Sequence, residues 1–365
     1  MINILAPINQ LGYGVTGLNI VKALSKLTDV ALWIIGETHQ TSGIYDSSIK
    51  LQVTNQEDAE VCKNALQNAT LFDHTKPCLK IWHQHDMAQF VGSGKHVGFP
   101  IFELDTFNDL ERHHLRSVDE LFVCSHWAKE IIETNDIKVK TNVIPLGVDA
   151  SIFQFQPLKP SDIDKKEKTI FFNCGKWEIR KGHDVLIKAF KKAFDATDNV
   201  ELWMLCQNPF NTPEEEAQWK LLYNHPKIRI IPRVNTQEEV YNIMQKVDCG
   251  VFPSRAEGWN LEILELMACG KHVIATNYSA HTEFCTKDNS DLVTIKETEL
   301  AYDGKWFHGY GNWAKIGDQE LDQVAGYMVD FHKRNSDQKY INKAGIETAL
   351  EFSWNNSARK ILEYV

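Results

Sequence analysis

Asp248-Cys-Gly-Val-Phe-Pro-Ser-Arg-Ala-Glu257-Gly-Trp-Asn-Leu-Glu-Ile-Leu-Glu265-Leu-Met-Ala-Cys-Gly270 is the stretch around which the rest of the chain is organised. Its apolar start, Cys249 to Phe252, reads as a strand that breaks at Pro253-Ser254. A loop with Glu257 and Gly258 follows, then a helix from about Asn260 that stops at Gly270. Asn is a favoured N-cap and Gly a favoured helix stop. A helix start reached through a Gly-containing loop offers free backbone N–H groups and a positive dipole end, an arrangement that binds phosphate. Glu265 lies about five residues further in, roughly 7 Å along the axis, which is one ribose away from a diphosphate. Its carboxylate is expected to accept ribose hydroxyls, while Glu257 faces the other side of the phosphates. A nucleoside diphosphate joined to a sugar would satisfy the whole stretch.

Glu257 to Glu265, followed by Met267-Ala-Cys-Gly270, resembles the E-x7-E signature of retaining glycosyltransferases of the GT-B fold (group 1, glycosyltransferase family 4). The usual reading there is E-G-F-G-x-x-x-x-E-A-M-A-C-G. This chain departs from it at Trp259 for Phe, Asn260 for Gly and Leu266 for Ala. Asn tolerates unusual backbone angles better than most residues, so the loop is expected to keep its shape. The resemblance implies an α/β protein of two Rossmann-like domains whose parallel sheets face across a cleft. Residues 1–155 would form the acceptor-side domain, with a closing helix over 352–365 packing back on it. Residues 156–351 would bind the nucleotide-sugar.

Composition agrees with a soluble two-domain chain. Its 365 residues are 43% hydrophobic and 24% charged, ordinary values with room for two cores. A net charge of −10 argues against nucleic acid as the main partner. The chain opens directly on a strand, Met1 to Ala6, so no signal peptide is expected, and no apolar run approaches the ~18 residues of a membrane span. A cytoplasmic location follows, with weak contact to the inner face of a membrane left open. Eight scattered cysteines show no C-x-x-C and no metal-ligand spacing.

Strand-like runs at Ile2–Ala6, Val30–Ile35, Leu79–Trp82, Leu121–Cys124 and Val143–Ile144 alternate with helical patterns such as Leu18–Leu27. That rhythm means a parallel sheet, in which ligands bind beyond the carboxyl ends of the strands. After the first strand, Gly12, Gly14 and Gly17 match G-x-G-x-x-G, and Glu37 falls twenty residues after Gly17. Read so, the chain would be an NAD(P)-dependent oxidoreductase, although roughly six loop residues separate the strand from the first Gly, where the fingerprint tolerates none. The resemblance instead implies a Gly-rich loop near the donor diphosphate, with Gly14 touching it. His83 and His85 follow the third run on one face by period-2 alternation. The family often has a His here beside the reacting groups, for which His85 is the candidate. A buried, hydrogen-bonded imidazole is the alternative. Gly98 to Glu103 looks like the family's acceptor-side loop, with Glu103 accepting acceptor hydroxyls or simply exposed. The basic run Glu111 to Arg116 suits a phosphate, a membrane surface or a solvated helix face. Ser125 ends a strand as in the family, on the acceptor side, or serves only as an N-cap. Val143 to Asp149 matches the V-I-P-x-G-V-D that closes the first domain.

From about Ala150 to Lys168 the chain reads as a linker with Pro157, Pro160 and Ser161. The α/β rhythm then resumes with strands at Thr169–Asn173, Glu201–Leu205 and Ile228–Ile231 and helices at Asp184–Phe194 and Glu238–Val247. Cys174-Gly-Lys176-Trp-Glu-Ile-Arg180-Lys181-Gly182 resembles the family's G-R-x-x-x-x-K-G, in which Arg and Lys hold the phosphates. Lys181 matches; Lys176 replaces the Arg, keeping charge and losing the bidentate fork, with Arg180 available to compensate. Val234 lies where the family receives the nucleobase on backbone groups. His272–Thr276, the stretch to Glu283 and the Phe352-Ser-Trp354 segment match later family features.

The resemblance thus implies sugar transfer from a nucleotide-sugar donor to a hydroxyl of a glycan, lipid or small-molecule acceptor, with retention at the anomeric carbon. Lys176, Lys181 and amides of Gly258, Trp259, Asn260 and Leu261 would stabilise the leaving diphosphate. Glu257 would orient sugar hydroxyls, and Glu265 would anchor the ribose. With no D-x-D motif in view, neither metal nor other cofactor is expected. A non-catalytic scaffold of the same fold remains the other alternative, since Lys176 and Asn260 both depart from the donor-site pattern.

Overall fold

A computed structural model describes residues 1–36, 55–157 and 168–365. Glu37 and residues 158–167 of the expected linker lie outside the described residues. The chain divides into two compact units. One comprises Met1–Phe102, Thr106–Gly147 and Phe352–Val365, the other Glu103–Asp105 and Val148–Glu351. The division falls at Gly147 and Val148 rather than at 155 and 156; within the second unit Phe155 packs directly on Gly270.

In the first unit β1 (Ile2–Ala6), β2 (Val30–Ile34), β3 (Cys78–Ile81), β4 (His96–Phe99), β5 (Glu120–Val123) and β6 (Lys140–Val143) form one sheet. Its order is β2-β1-β3-β4-β5-β6, and every pairing is parallel. β4 is a strand that the sequence reading merged into the Gly98–Glu103 loop; it is four residues long with Gly98 inside, too short and too glycine-bearing to carry a periodic signal. The helices are α1 (Gly12–Ser25), α2 (Gln56–Asn68), α3 (Asp109–Arg116), α4 (His126–Thr134) and the C-terminal Trp354–Tyr364. That last helix belongs to this unit because Ser357 Oγ donates to Pro145 O at 2.6 Å and Gly147 lies against the Trp354 backbone, where no Cβ would fit.

Gly12, Gly14 and Gly17 lie inside α1, not in a loop before it. Asn9 Oδ1 accepts from Leu11 N at 2.9 Å and closes the turn early, so the helix starts at Gly12. A Cβ on Gly14 would collide with Asn9, so close packing of this turn accounts for the glycine.

The second unit holds β7 (Thr169–Gly175), β8 (Val200–Cys206), β9 (Ile228–Ile230), β10 (Cys249–Phe252), β11 (His272–Thr276) and β12 (Asp291–Val293). Their order, β12-β11-β10-β7-β8-β9, is the doubly wound order of dinucleotide- and nucleotide-binding sheets. Around them stand α5 (His183–Ala193), α6 (Pro213–Leu222), α7 (Gln237–Met244), α8 (Leu261–Ala268), α9 (Asp318–Asp337) and α10 (Lys343–Glu351). β7 and β10 are buried on both faces, hence their continuous apolar runs. Phe171, Phe190, Phe331, Leu202 and Val251 are fully enclosed in the core, each worth about 1.5–3 kcal/mol on burial. An antiparallel hairpin of β13 (Thr298–Tyr302) and β14 (His308–Ala314) stands outside the main sheet. No described helix is long and apolar enough to cross a membrane. We number the C-terminal helix Trp354–Tyr364 as α11.

Candidate functional site

In the second sheet the strand order reverses between β7 and β10, the point at which such sheets bind ligands beyond their carboxyl ends. The loops leaving these two strands are Gly175–Gly182 and Pro253–Asn260, the stretches singled out by sequence. Gly182 adopts φ +71°, and a Cβ there would run into Pro253 O, so the two loops touch backbone to backbone. Arg255 N donates to Arg180 O at 2.6 Å, a second tie between them.

Glu257 is the hub. Its Oε1 accepts from Lys181 Nζ at 2.9 Å and Ser254 Oγ at 2.9 Å, and its Oε2 accepts from Arg180 at 2.7 Å. Only 4% of the residue is exposed. Burial opposes its ionisation, yet the Arg180 and Lys181 charges outweigh that and hold the carboxyl well below the usual range. Lys181 shows the converse: burial alone would lower its pKa, and Glu257 raises it. Arg180 also binds Glu178 Oε2 at 2.8 Å and Ala256 O at 2.7 Å. Lys176 pairs with Glu178 Oε1 at 2.8 Å and stays about one-third exposed. The two lysines are therefore held by different glutamates, with Arg180 bridging Glu178 and Glu257. A carboxylate has about four acceptor positions. Three are used on Glu257, which leaves about one open.

The start of α8 differs from its sequence reading. Asn260 occupies the N-cap position at φ +82°, but its side chain makes no capping hydrogen bond. Nδ2 instead donates to His281 Nε2 at 3.0 Å, while His281 Nδ1 donates to Thr276 O at 3.0 Å. Burial lowers the His281 pKa to about 4, which keeps it neutral and able to accept from Asn260. Left-handed Asn260 thus withdraws from the helix, and the first-turn N–H groups of Leu261 and Glu262 have no partner among the described residues. Trp259 is a core side chain against Phe284. Gly258 lies in the turn between Glu257 and Trp259.

Glu265 is 8% exposed and its carboxyl has no hydrogen-bond partner among the described residues. Burial first, then the charges of Glu262 and Asp149, push its pKa well above the ordinary value. Val234 precedes α7, half-buried, with both backbone polar groups unbonded among the described residues.

In the first unit the order reverses between β1 and β3. Tyr13 of α1 meets Trp82 and His83 there, at ring distances of 5.5 and 4.6 Å, and His83 stacks on His85 at 5.2 Å. β3 ends at Ile81, so a turn closed by Asp86 N to His83 O, not strand pleating, brings the two imidazoles together. Ser125 is the N-cap of α4, accepting from Ala128 N at 3.1 Å, and is fully buried. Glu103 groups with the second unit rather than the first: it lies 3.8 Å from Arg180, and neighbouring Asp105 accepts from Asn312 N at 2.7 Å.

Sequence reasoning passed over Glu178, His183 and His281. His183 is buried, accepts from Glu178 N at 3.1 Å through Nδ1 and meets Asn173 Oδ1 at 3.0 Å through Nε2, so it braces the cationic loop from beneath. Burial takes its pKa down to about 3. Its position directly after Gly182, where α5 begins, was the one signal available. Among the described residues no group of three or more His, Cys, Asp or Glu is arranged to hold a metal ion.

The sequence model of the family described as Glycosyl transferases group 1 matches residues 167–302. An uncharacterized glycosyltransferase of Methanocaldococcus jannaschii is 25% identical over 262 residues, 66% of this chain and 62% of that protein, so the chain spans less than two thirds of that relative. Sucrose-phosphate synthase from Thermosynechococcus elongatus has a similar structure, with TM-score 0.68 and 13% identity over 99% of this chain and 97% of that one. HepE of Anabaena, solved in complex with UDP-glucose, gives TM-score 0.67 and 14% identity over 99% and 98%.

Proposed function

We propose, from the match of residues 167–302 to the group 1 glycosyltransferase model and the likeness to GT-B structures, that this chain is a group 1 glycosyltransferase that moves a sugar from a nucleoside-diphosphate donor to an acceptor hydroxyl with retention of configuration. The observation that carries the proposal is the pairing at the β7/β10 reversal: Arg180 and Lys181 gathered on Glu257 beside the uncapped start of α8. That a similar structure, HepE, was solved with UDP-glucose supports a uridine or related donor.

In this reading the diphosphate meets the Leu261 and Glu262 amides, Lys181 and Lys176. As the glycosidic bond breaks, negative charge grows on the leaving phosphate, and each fixed donor contributes about 3 kcal/mol of stabilisation. Fixed cations and amides do the work that a metal performs elsewhere, so catalysis is metal-independent. Glu257 is too firmly ionised and too fully hydrogen-bonded to serve as the base. The acceptor proton passes to the departing phosphate oxygen on the same face, which is why configuration is retained. Glu265 takes the ribose hydroxyls, Val234 the base, and Asn260 Oδ1, buried without a partner, one further donor group. His85 and Ser125 belong to the acceptor side, Ser125 through the helix it caps; the acceptor is a glycan, lipid or other hydroxyl compound.

Thermal-shift titration with UDP, GDP and ADP tests the donor reading, followed by hydrolysis of the matching nucleotide-sugar in excess EDTA. One nucleotide should raise the melting temperature, and its sugar should be hydrolysed slowly with EDTA present. If none of the three binds, the donor reading is wrong; if hydrolysis needs Mn²⁺, metal independence is.

A further inference from the structure

The β13–β14 hairpin lies largely beyond the donor motifs and presents a built aromatic surface. Its inner face is fastened to the donor loops. Trp313 and Ala301 pack with Ala256, next to Glu257, and with Ile179, next to Arg180. Ala314 N donates to Arg255 O at 2.9 Å, and the Arg255 guanidinium lies over the Trp313 ring. The outer face is different: Tyr302 is 65% exposed, Tyr310 50% and Trp306, at the tip, 48%.

The tip is rigid. Asp303 Oδ1 accepts from the backbone N–H groups of Lys305, Trp306 and Phe307 at 2.9, 2.8 and 2.9 Å. Lys305 Nζ is tied to Phe210 O, Asn211 Oδ1 and Glu215 Oε2 at 3.1, 3.0 and 2.6 Å. Phe210, itself 51% exposed, meets Trp306 edge-to-face at 5.8 Å, and on its other side Lys176 Nζ lies 5.6 Å from its ring centroid. An unbroken line of contacts therefore runs from the donor-loop cation Lys176 through Phe210 to Trp306.

We propose that Phe210 and Trp306, extended by Tyr302 and Tyr310 on the outer face of the hairpin, form a binding platform for the saccharide portion of the acceptor. The inference rests on the transferase reading for its substrate class. Exposed aromatic faces held in place offer a negative quadrupole to the polarised C–H faces of a pyranose, with little rotamer entropy left to lose. The surrounding charge selects the occupant. Lys305 is neutralised by Glu215, and Glu214 and Glu216 flank it in the first turn of α6. Carboxylates beside exposed rings suit hydroxyl donors and oppose an anionic lipid surface.

The test is an array of neutral and acidic oligosaccharides probed with labelled protein, followed by titration of the best binder. Trp306→Ala and Phe210→Ala should each weaken that glycan roughly tenfold or more, equivalent to about 1.4 kcal/mol, and Trp306→Phe should recover part of the loss. Leu221→Ala, an apolar change at a still more exposed position on α6, should leave glycan affinity unaltered. The proposal is overturned if wild-type protein binds no oligosaccharide, or if the two alanine variants bind it as wild type does. It is also overturned if those variants lose binding only to phosphatidylcholine–phosphatidylglycerol vesicles, which would assign the surface to a membrane. UDP and GDP titrations of the same wild-type preparation report on the donor reading separately, because failure there leaves the glycan result standing.

Discussion

Replacing Glu265 by Gln should move stability and ligand affinity in opposite directions. In the free protein this carboxyl is enclosed beside Glu262 and Asp149 without a hydrogen-bond partner among the described residues, and its pKa is raised well above 4.5. The folded state then keeps a proton that the unfolded chain gives up above about pH 4.5. Where the native state binds more protons, stability falls as pH rises, and it goes on falling until the folded pKa is reached. Glu265→Gln has nothing to ionise. Its melting temperature should match or exceed that of wild type near pH 8 and depend less on pH.

Binding should change the other way. Ribose hydroxyls donating to the carboxylate favour its ionised form, so wild-type binding should expel up to about one proton. A hydrogen bond to a charged group is worth about 1.5–3 kcal/mol. Gln keeps one acceptor oxygen, so the loss is about one such bond, roughly 10- to 150-fold in Kd. Calorimetric titration of UDP and GDP in two buffers of different ionisation enthalpy reads both effects: a buffer-dependent enthalpy for wild type, none for the variant. A variant that melts well below wild type near pH 8 and binds with unchanged Kd would refute the reasoning, because Glu265 would then be a structural anion.

Glu257→Gln removes a carboxylate that is ion-paired with both Lys181 and Arg180. Breaking a buried ion pair costs about 3–5 kcal/mol, or about 6–20 °C in melting temperature for a unit of this size. The pKa of Glu257 is depressed, so its contribution is present above about pH 4.5 and lost as pH falls towards the folded value; calorimetry should find the deficit at neutral pH and little of it in acid. Gly182→Ala forces a Cβ against Pro253 O at a left-handed position. It should destabilise by about 3 kcal/mol or more, and a melting point within about a degree of wild type would contradict the loop contact. Burial holds His281 at about 4, so the unfolded chain takes up a proton first as pH drops below about 6.5, and stability declines from there. His281→Gln should make that acid slope shallower by about 1.4 kcal/mol per pH unit between roughly pH 6.5 and 4, measured by urea denaturation across the range.

Much of the architecture was legible because its signals are local. Apolar runs such as Phe171–Phe172 and Val251–Phe252 announce strands buried on both faces, and their alternation with helices announces parallel sheets. The two loops after β7 and β10 stood out in the sequence by glycines between cations and by a helix start, again features of neighbouring residues. What escaped was short or long-range. β4 spans four residues with a glycine inside; α6 shows a capping box but no apolar stripe, none of its helical residues being buried. The hairpin declares itself only through Trp313 and Ala301 meeting Ala256 more than forty residues away.

At the site, the pattern located the charges without their partners. Lys176 and Lys181 read as two cations gripping one anion, yet each is already bound to a glutamate, and Arg180 joins the two pairs. Asn260 read as the cap of its helix, and the residue that draws it away, His281, lies 21 positions downstream. Both misreadings have one physical source: local spacing says which groups stand together, whereas hydrogen-bond saturation depends on chain segments folded in from elsewhere. The consequence for mechanism is specific. With Glu257 committed to Lys181, Arg180 and Ser254, its first duty is to keep two buried cations ionised and aligned, and α8 remains open because the Asn260 side chain is drawn to His281 instead of capping it. A diphosphate arriving at these loops would meet cations already desolvated and already fixed, so little of its binding energy would go into organising them.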